Sequence, residues 1–172
     1  ESGGHVGELT TMALVPQVVD AISLPVIAAG GIADRRQVAA AFMLGAKGIQ
    51  VGTIMLASEE CPIHINYKNK IIQAKDTDTI VTGRKQKAPV RVLKNPMATE
   101  YLMLSENNAS MEELEKLTLG SLKKAVFDGD LLEGSFMAGQ VSGMIKEILP
   151  VKKIIQNLFV DIDKFKDDIR IM

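Results

Sequence analysis

Apolar residues form a short uninterrupted run at residues 25–29, which begins with proline and is followed by two glycines. Such a run is typical of a strand that is buried on both faces of a parallel sheet. A second short strand is predicted at residues 48–52. Between them, Asp34 and Gln37 have the spacing of a capping box, which predicts the start of a helix. The pattern therefore indicates a strand–helix–strand unit of a parallel α/β fold.

Helical periodicity is predicted on both sides of this unit. Upstream, Pro16 suits the first turn of a helix, and Val15, Val19 and Ile22 form its inward stripe. Downstream, residues 64–75 have helical character, and the alternation of strands and helices stops there. Residues 78–93 mix strand-forming residues with basic ones, so this part is expected to be an appendage to the α/β unit.

The C-terminal third of the chain is predicted to be helical. Ser110 and Glu113 form a second capping box, which predicts a helix over 111–127. A further helix is expected to begin near Gly139 and to end before Pro150. The tail is predicted to be an amphipathic helix that packs against the body of the protein. Its apolar stripe consists of Val151, Ile155, Leu158, Ile162, Phe165 and Ile169.

The near-neutral net charge argues against some classes of function. The 172 residues include 20 Lys and Arg against 21 Asp and Glu, a net charge of −1, which argues against generic nucleic-acid or membrane-surface binding. No apolar run approaches the length of a membrane span. The single cysteine, Cys61, excludes an intrachain disulfide and indicates a reducing compartment, so a cytoplasmic location is expected.

Cysteine and histidine usage predicts no metal site. The two histidines, His5 and His64, and the one cysteine have no recognised ligand spacing. Cys61 has no base at a recognisable spacing, so a catalytic thiol is not favoured either.

Three glycine-rich turns follow strand-like segments and would lie at one edge of the sheet. In parallel α/β folds the ligand sits beyond the carboxyl ends of the strands, where glycine lets the backbone approach a phosphate. Tight turns without any ligand remain the alternative on the residues alone. The three turns are Gly3-Gly4-His5, Gly30-Gly31 and Gly52-Thr53.

The same segments, taken together, resemble the flavin-dependent enoyl-acyl-carrier-protein reductases and their nitronate monooxygenase relatives. The resemblance covers almost the whole chain. The motifs that carry it are 1–7 (ESGGHVG), 25–34 (PVIAAGGIAD), 48–53 (GIQVGT) and 137–140 (MAGQ). The segments 76–80 and 90–95 are more similar to the reductase branch.

The resemblance implies an α/β fold, namely the C-terminal part of a TIM-type (β/α)₈ barrel with an added C-terminal helical and substrate segment. Residues 1–60 would be the barrel part that binds FMN, 61–110 an inserted substrate-side segment, and 111–172 helices that return to the barrel. A complete barrel has eight strands. Glu1 would follow strand six, and the first six strands would be absent from this sequence, so independent folding and activity are in question.

The resemblance also implies site residues. His5 would be the catalytic acid/base, since an imidazole exchanges protons near neutral pH. The residues expected to contact FMN are Gly3, Gly4, Gly30, Gly31, Gly52, Thr53, Met137, Gly139 and Gln140.

The implied activity is reduction of trans-2-enoyl-acyl-carrier-protein by NADH or NADPH through FMN, as in fatty acid synthesis. The alternatives are oxidation of nitroalkanes or nitronates, and a flavin-binding fragment without turnover. The implied substrate is an acyl group on its carrier protein or another small acyl compound, and the full-length protein is expected to be a homodimer. A basic cluster is interpreted either as a carrier-docking surface or as a solvated face. It comprises Arg84, Lys85, Lys87, Arg91 and Lys94.

Overall fold

The computed structural model describes residues 1–165 of the chain. In this part of the chain the strands are β1 (Gly4–His5), β2 (Ile27–Ala29), β3 (Gly48–Gln50), β4 (Thr79–Thr82) and β5 (Val90–Leu93). The helices are α1 (Thr11–Ala21), α2 (Arg35–Met43), α3 (Thr53–Leu56), α4 (Ile65–Ile72), α5 (Pro96–Glu106), α6 (Met111–Thr118), α7 (Ser121–Lys123) and α8 (Val151–Phe159). A π-helical turn, Lys124–Asp128, continues α7, and a 3₁₀ turn spans Gln140–Met144.

The predicted strand–helix–strand unit is confirmed. Strands β2 and β3 pair in parallel, with Ala28 opposite Ile49. Helix α2 connects them and begins with the complete capping box formed by Asp34 and Gln37. The prediction that the first strand is buried on both faces is wrong for this part of the chain, because Ile27 is 55% exposed while Ala28 is fully buried. The fold is mixed α/β, and a closed barrel stays a prediction.

A second sheet is antiparallel and has the order β1-β5-β4. Strand β5 lies in the centre, with Val90 opposite both His5 of β1 and Thr82 of β4. The N-terminal glycine turn is therefore not a free loop at the edge of the parallel sheet. It is paired with the segment predicted to lie on the substrate side.

Two hydrophobic clusters hold these sheets in place. One cluster contains Ala28 and Val38 of the parallel unit together with Ile154 and Leu158 of α8. The other contains Tyr67 of α4, and residues from β5 and from the segment after α7. The Tyr67 and Phe136 rings meet edge to face with centroids 4.8 Å apart. The first cluster packs against Ile49 and Val51 in and after β3, and the second contains Ala138 and Val141. Ile54 of α3 packs against both clusters, so β3 and residues 138–141 are held next to each other.

The start of α1 differs from the prediction. The helix begins at Thr11, so Pro16 lies in its interior rather than in its first turn. The Glu1 carboxylate accepts a 2.6 Å hydrogen bond from the Thr11 backbone N–H, and this remote contact satisfies a free donor at the helix start. Val15 is buried as predicted, but Ile22 lies just after the helix and is 46% exposed.

The C-terminal helices are shorter than predicted. Residues 111–127 do not form one helix, because Gly120 takes a positive φ of 75° between α6 and α7. The helix expected near Gly139 is reduced to the 3₁₀ turn. The predicted tail helix ends at Phe159; its buried residues are Ile154 and Leu158, whereas Ile155 is 47% exposed. Ile169 lies outside the described residues.

Helix α4 confirms the helix predicted at 64–75, and α5 is a helix that the pattern did not predict. Asn95 caps α5 by accepting a hydrogen bond from the Ala98 backbone N–H, and Pro96 occupies the first position. Among residues 1–165, no helix combines the length and the apolar character needed to cross a bilayer.

Candidate active site

A cavity of about 280 Å³ opens at the carboxyl ends of β2 and β3. Its walls come from three places: the N-terminal residues 1–4, the loops that follow β2 and β3, and the segment from Met137 to Val141. Eight of the ten residues predicted for the site line this cavity. They are Gly3, Gly4, Gly30, Gly31, Gly52, Thr53, Met137 and Gly139. His5 and Gln140 lie beside it.

The loop after β2 requires glycine. Gly30 and Gly31 have φ angles of +103° and +71°, which L-residues with side chains rarely adopt. A Cβ atom at Gly31 would also lie 3.0 Å from the carboxylate carbon of Glu1. The turn therefore presents bare backbone to the cavity.

The loops after β2 and β3 have backbone N–H groups without an acceptor. Within residues 1–165, no acceptor receives a hydrogen bond from the backbone N–H of Gly31, Gly52 or Thr53. A Cβ atom at Gly52 would meet nothing within 4 Å, so this residue faces open space. Three unpaired N–H groups in the two loops that line the cavity would suit an anion with several oxygen acceptors.

Thr53 connects this loop to the opposite wall. Its hydroxyl oxygen accepts a 2.9 Å hydrogen bond from the Gly139 backbone N–H, although 86 residues separate them. The hydroxyl proton is left for a second partner. Thr53 is therefore a structural link first, in addition to any contact with a ligand.

Two of the predicted ligand-contacting glycines are needed for chain packing. A Cβ atom at Gly3 would lie 2.6 Å from the backbone of Ala138, and one at Gly139 would lie 2.7 Å from the Glu1 carbonyl oxygen. The Gln140 backbone N–H donates to that same oxygen at 2.9 Å. These contacts join the N-terminal segment to residues 137–140 and close one side of the cavity.

The Gln140 side chain is exposed and lies outside the cavity, so it contributes its backbone to this wall. Met137, by contrast, lines the cavity, and its carbonyl oxygen accepts a 2.8 Å hydrogen bond from the Tyr67 hydroxyl. Burial raises the pKa of Tyr67, which keeps this hydroxyl protonated as a donor.

His5 is exposed and directly follows Gly4 of the cavity wall. Its backbone is paired with Val90, so the position of the residue is fixed by a sheet rather than by a loose loop. The residue does not itself line the cavity, and its predicted acid/base role stays a prediction.

The basic cluster is divided by the fold. Lys85 donates to the carbonyl oxygens of Ser105 and Glu106 at the end of α5, where a cation stabilises a helix. Arg91 is half-buried and donates to the Thr79 hydroxyl, while its Nε is buried without an acceptor among residues 1–165. The remaining members, Arg84, Lys87 and Lys94, are exposed.

Other polar residues have structural roles. The Nδ1 atom of His64 accepts from the Asn66 N–H and caps α4. Cys61 is a partly buried free thiol. In the described part of the chain, no three His, Cys, Asp or Glu side chains are arranged to hold a metal ion.

Sequence reasoning missed three residues of the site. Glu1 lines the cavity and caps α1, Gln50 lines it at the end of β3, and Tyr67 supports Met137 from behind. Glu1 belongs to the first motif, which is the signal that could have found it. Tyr67 carries no local signal, because its role comes from a contact 70 residues away.

Fold and cavity define an α/β protein with a glycine-lined cavity at the carboxyl ends of parallel strands, where such folds bind their ligands. The family model described as nitronate monooxygenase matches residues 1–161, and the chain belongs to this family.

Individual relatives agree with this assignment. A probable nitronate monooxygenase from Staphylococcus saprophyticus is 35% identical over 159 residues, which are 86% of this chain and 45% of the relative. The solved structure of FabK from Thermotoga maritima is 48% identical with a TM-score of 0.92, covering 98% of this chain and 54% of that one. A nitroalkane oxidase from Streptomyces ansochromogenes is 27% identical with a TM-score of 0.76, covering 97% and 50%. The chain thus spans about half the length of these proteins.

Proposed function

We propose that the protein is a cytoplasmic FMN-dependent oxidoreductase that uses NADH or NADPH to reduce trans-2-enoyl thioesters in fatty acid synthesis. The observation that carries the proposal is the cavity at the strand ends, where the N–H groups of Gly31, Gly52 and Thr53 have no acceptor among residues 1–165. The family relationship supports an oxidoreductase activity of the complete protein.

The cavity fits the phosphate end of FMN. A phosphate monoester offers several oxygen acceptors, and the glycines allow close approach of the backbone donors. Gly30, Gly31, Gly52 and Thr53 would hold the phosphate, and Gly4 and Met137 would border the rest of the cofactor. When bound, FMN supplies two-electron transfer between a nicotinamide cofactor and the acceptor.

His5 would transfer the proton that enoyl reduction requires. Reduction of an enoyl thioester adds a hydride equivalent at the β-carbon and a proton at the α-carbon. An imidazole nitrogen of His5 would donate that proton, then regain one from solvent, to which the residue is exposed. The pairing of β1 with β5 keeps the residue in position while it does so.

Similarity favours the reductase among the family's activities. FabK is an enoyl-acyl-carrier-protein reductase, and this chain is 48% identical to the Thermotoga maritima protein against 27% to the nitroalkane oxidase. Nitronate oxidation is the second candidate, because the family model and the curated relatives carry that name. With a neutral nitroalkane as substrate, His5 would remove the α-proton, whereas a nitronate has already lost that proton and would need no base.

The carrier protein would be the natural partner of a reductase. Acyl carriers are small acidic proteins, and Arg84, Lys87 and Lys94 are exposed basic residues of the hairpin region that would attract one. We further propose that the full-length protein is a homodimer, as the resemblance implies.

Substrate trials separate the candidates. The full-length protein, loaded with FMN, is mixed anaerobically with NADH or NADPH and then with crotonyl-coenzyme A. Re-oxidation of the flavin with formation of butanoyl-coenzyme A is expected. The same enzyme is tested aerobically with propyl-2-nitronate. Turnover of the nitronate alone would overturn the reductase proposal, and flavin binding without turnover of either would indicate a binding module.

A further inference from the structure

A second cavity, of about 290 Å³, lies in the segment after residue 61. We name it the hairpin pocket. It is a half-open pocket bordered by the β4–β5 hairpin, α5 and the turn between α6 and α7. Its lining includes Thr82, Val90, Tyr101, Leu122, Ser135 and Met137.

The hairpin pocket is on the same sheet face as His5. In an antiparallel sheet, directly opposed residues project to the same face. Val90 is opposed to His5 on one side and to Thr82 on the other, and both Val90 and Thr82 line the pocket. A molecule that contacts the imidazole and extends along this face would pass Val90 and come to the pocket.

Met137 separates the hairpin pocket from the glycine-lined cavity, because it lines both. Its backbone is held by Tyr67 and by an isolated bridge to Val92. Its side chain is next to Gly4: a Cβ atom added at Gly4 would lie 3.6 Å from the Met137 sulfur atom, which is van der Waals contact. An unbranched thioether is a deformable partition. The two cavities are therefore neighbours across one flexible side chain.

The chemistry of the walls limits the occupant. The lining residues include aliphatic and aromatic side chains and several hydroxyls, and none of them is charged. A charged group would lose its hydration there without a counter-charge. An alkyl chain would exchange water contact for apolar contact, which is favourable.

We propose that the hairpin pocket binds the alkyl tail of the acyl acceptor and sets its preferred length. This rests on the proposed function, since the tail belongs to the thioester whose double bond meets His5. Burial of one methylene is worth about a fourfold change in binding. The four methylenes by which an octenoyl chain exceeds a crotonyl chain would therefore raise kcat/KM by about 10²-fold.

The test changes the size of the pocket without touching the glycine-lined cavity. Val90→Phe fills it, and aromatic residues are tolerated in strands. Val81→Phe makes the same change on the opposite face of the hairpin and is the matched control, since Val81 is opposed to Arg91 and does not line the pocket. Tyr101→Ala enlarges the pocket from its helical wall.

Two measurements are made on the full-length FMN-loaded protein. The first is kcat/KM for crotonyl- and trans-2-octenoyl-coenzyme A. Val90→Phe is expected to lower the octenoyl value at least tenfold more than the crotonyl value, while Val81→Phe changes the ratio of the two values less than twofold. Tyr101→Ala is expected to shift the preference toward a dodecenoyl chain. The second is calorimetric binding of octanoyl- against butanoyl-coenzyme A, which needs no turnover.

The outcomes distinguish the two proposals. Absence of enoyl reduction, with octanoyl binding that Val90→Phe weakens, would defeat the proposed function and keep the pocket. Equal losses for short and long chains, or an unchanged length preference in both Val90→Phe and Tyr101→Ala, would overturn the pocket assignment. If Val90→Phe does not fold, the Tyr101→Ala shift and the wild-type binding ratio decide.

Discussion

The Tyr67 hydroxyl donates a 2.8 Å hydrogen bond to the carbonyl oxygen of Met137, across 70 residues of sequence. Tyr67 is 2% exposed, and its ring packs edge to face on Phe136. The bond holds the backbone of Met137, the residue that lines both cavities. A residue of helix α4, far from any glycine motif, thus supports the wall of the candidate site.

Replacing Tyr67 by Phe should destabilise the protein by about 1–3 kcal/mol, because the partly buried Met137 carbonyl oxygen loses its donor. Urea unfolding of the full-length protein measures this. Tyr101→Phe is the control, since within residues 1–165 its hydroxyl has no hydrogen-bond partner, and its cost should be below about 0.5 kcal/mol. Weaker FMN binding in Tyr67→Phe alone is also expected. Equal stability of the two variants would show that the bond does not hold the wall.

Asp34 should contribute a pH-dependent part of the stability. Partial burial opposes ionisation of its carboxyl, but hydrogen bonds from the Arg36 side chain and from the backbone N–H groups of Arg36 and Gln37 outweigh this and lower its pKa. A lowered folded-state pKa stabilises the protein above the unfolded value near 4, and this is lost as the pH falls through the folded value.

The test for Asp34 compares two variants by urea unfolding at pH 7 and pH 3. Asp34→Ala removes the helix cap and should cost about 0.5–2 kcal/mol at pH 7. Asp34→Asn keeps a capping oxygen and loses the charge, so its difference from wild type should shrink at pH 3. A constant difference for Asp34→Asn at both pH values would contradict the assignment.

Gly52→Val should weaken FMN binding by about 10² or more, since a side chain would keep the phosphate from the loop donors. The fold should tolerate it, because the added Cβ meets no atom within 4 Å. Gly31→Val should also abolish flavin retention, but with a stability loss, since the φ of +71° and the Glu1 carboxylate both oppose a side chain. Gly7→Val is the control, with open space and no ligand role. Flavin fluorescence titration and thermal unfolding separate the effects; retained affinity in Gly52→Val would remove the phosphate assignment from this loop.

His5→Ala should keep FMN and its reduction by NAD(P)H but slow enoyl reduction by about 10²–10⁴-fold, the usual contribution of a general acid. Stopped-flow measurement of the two half-reactions is the readout. His5→Gln keeps a polar side chain and should not restore the rate. Similar losses in both half-reactions would indicate that the histidine has a structural role.

Carrier docking should depend on Arg84 and Lys87 and not on Lys85, which is engaged at the end of α5. The double variant Arg84→Glu/Lys87→Glu should lower kcat/KM for a carrier-bound enoyl substrate at low salt and leave the coenzyme A thioester unchanged. At 0.5 M salt the difference should vanish, because the Debye length falls to a few ångströms. Indifference of both substrates would assign the basic residues to an ordinary solvated face.

Local sequence patterns predicted the central unit well. The apolar run, the Asp34–Gln37 box and the second strand are each specified by residues only a few positions apart, and the structure places them as expected. The glycine turns could also be predicted from the sequence, because a positive φ such as that of Gly31 is a property of one residue. The family assignment followed from these short motifs.

Only the tertiary structure decided where several helices begin. The Glu1 carboxylate caps α1 at Thr11, and the Glu60 carboxylate caps α8 by accepting from the Val151 N–H. The partners are 10 and 91 residues apart, whereas a capping box spans three. Rules that consider neighbouring residues therefore wrongly placed Pro16 in the first turn of α1, whereas it lies in the interior of the helix.

The candidate site, too, has some features that the local sequence sets and others that only tertiary contacts set. The sequence alone determined which residue types are present at its turns, since these types depend on local backbone conformation and on motifs of a few residues. Tertiary contacts decided the rest: the pairing of His5 with Val90, the bond from Gly139 to Thr53 and the support of Met137 by Tyr67. Each joins residues 70 or more positions apart, and their free energy depends on the packing of whole elements, which no local pattern encodes.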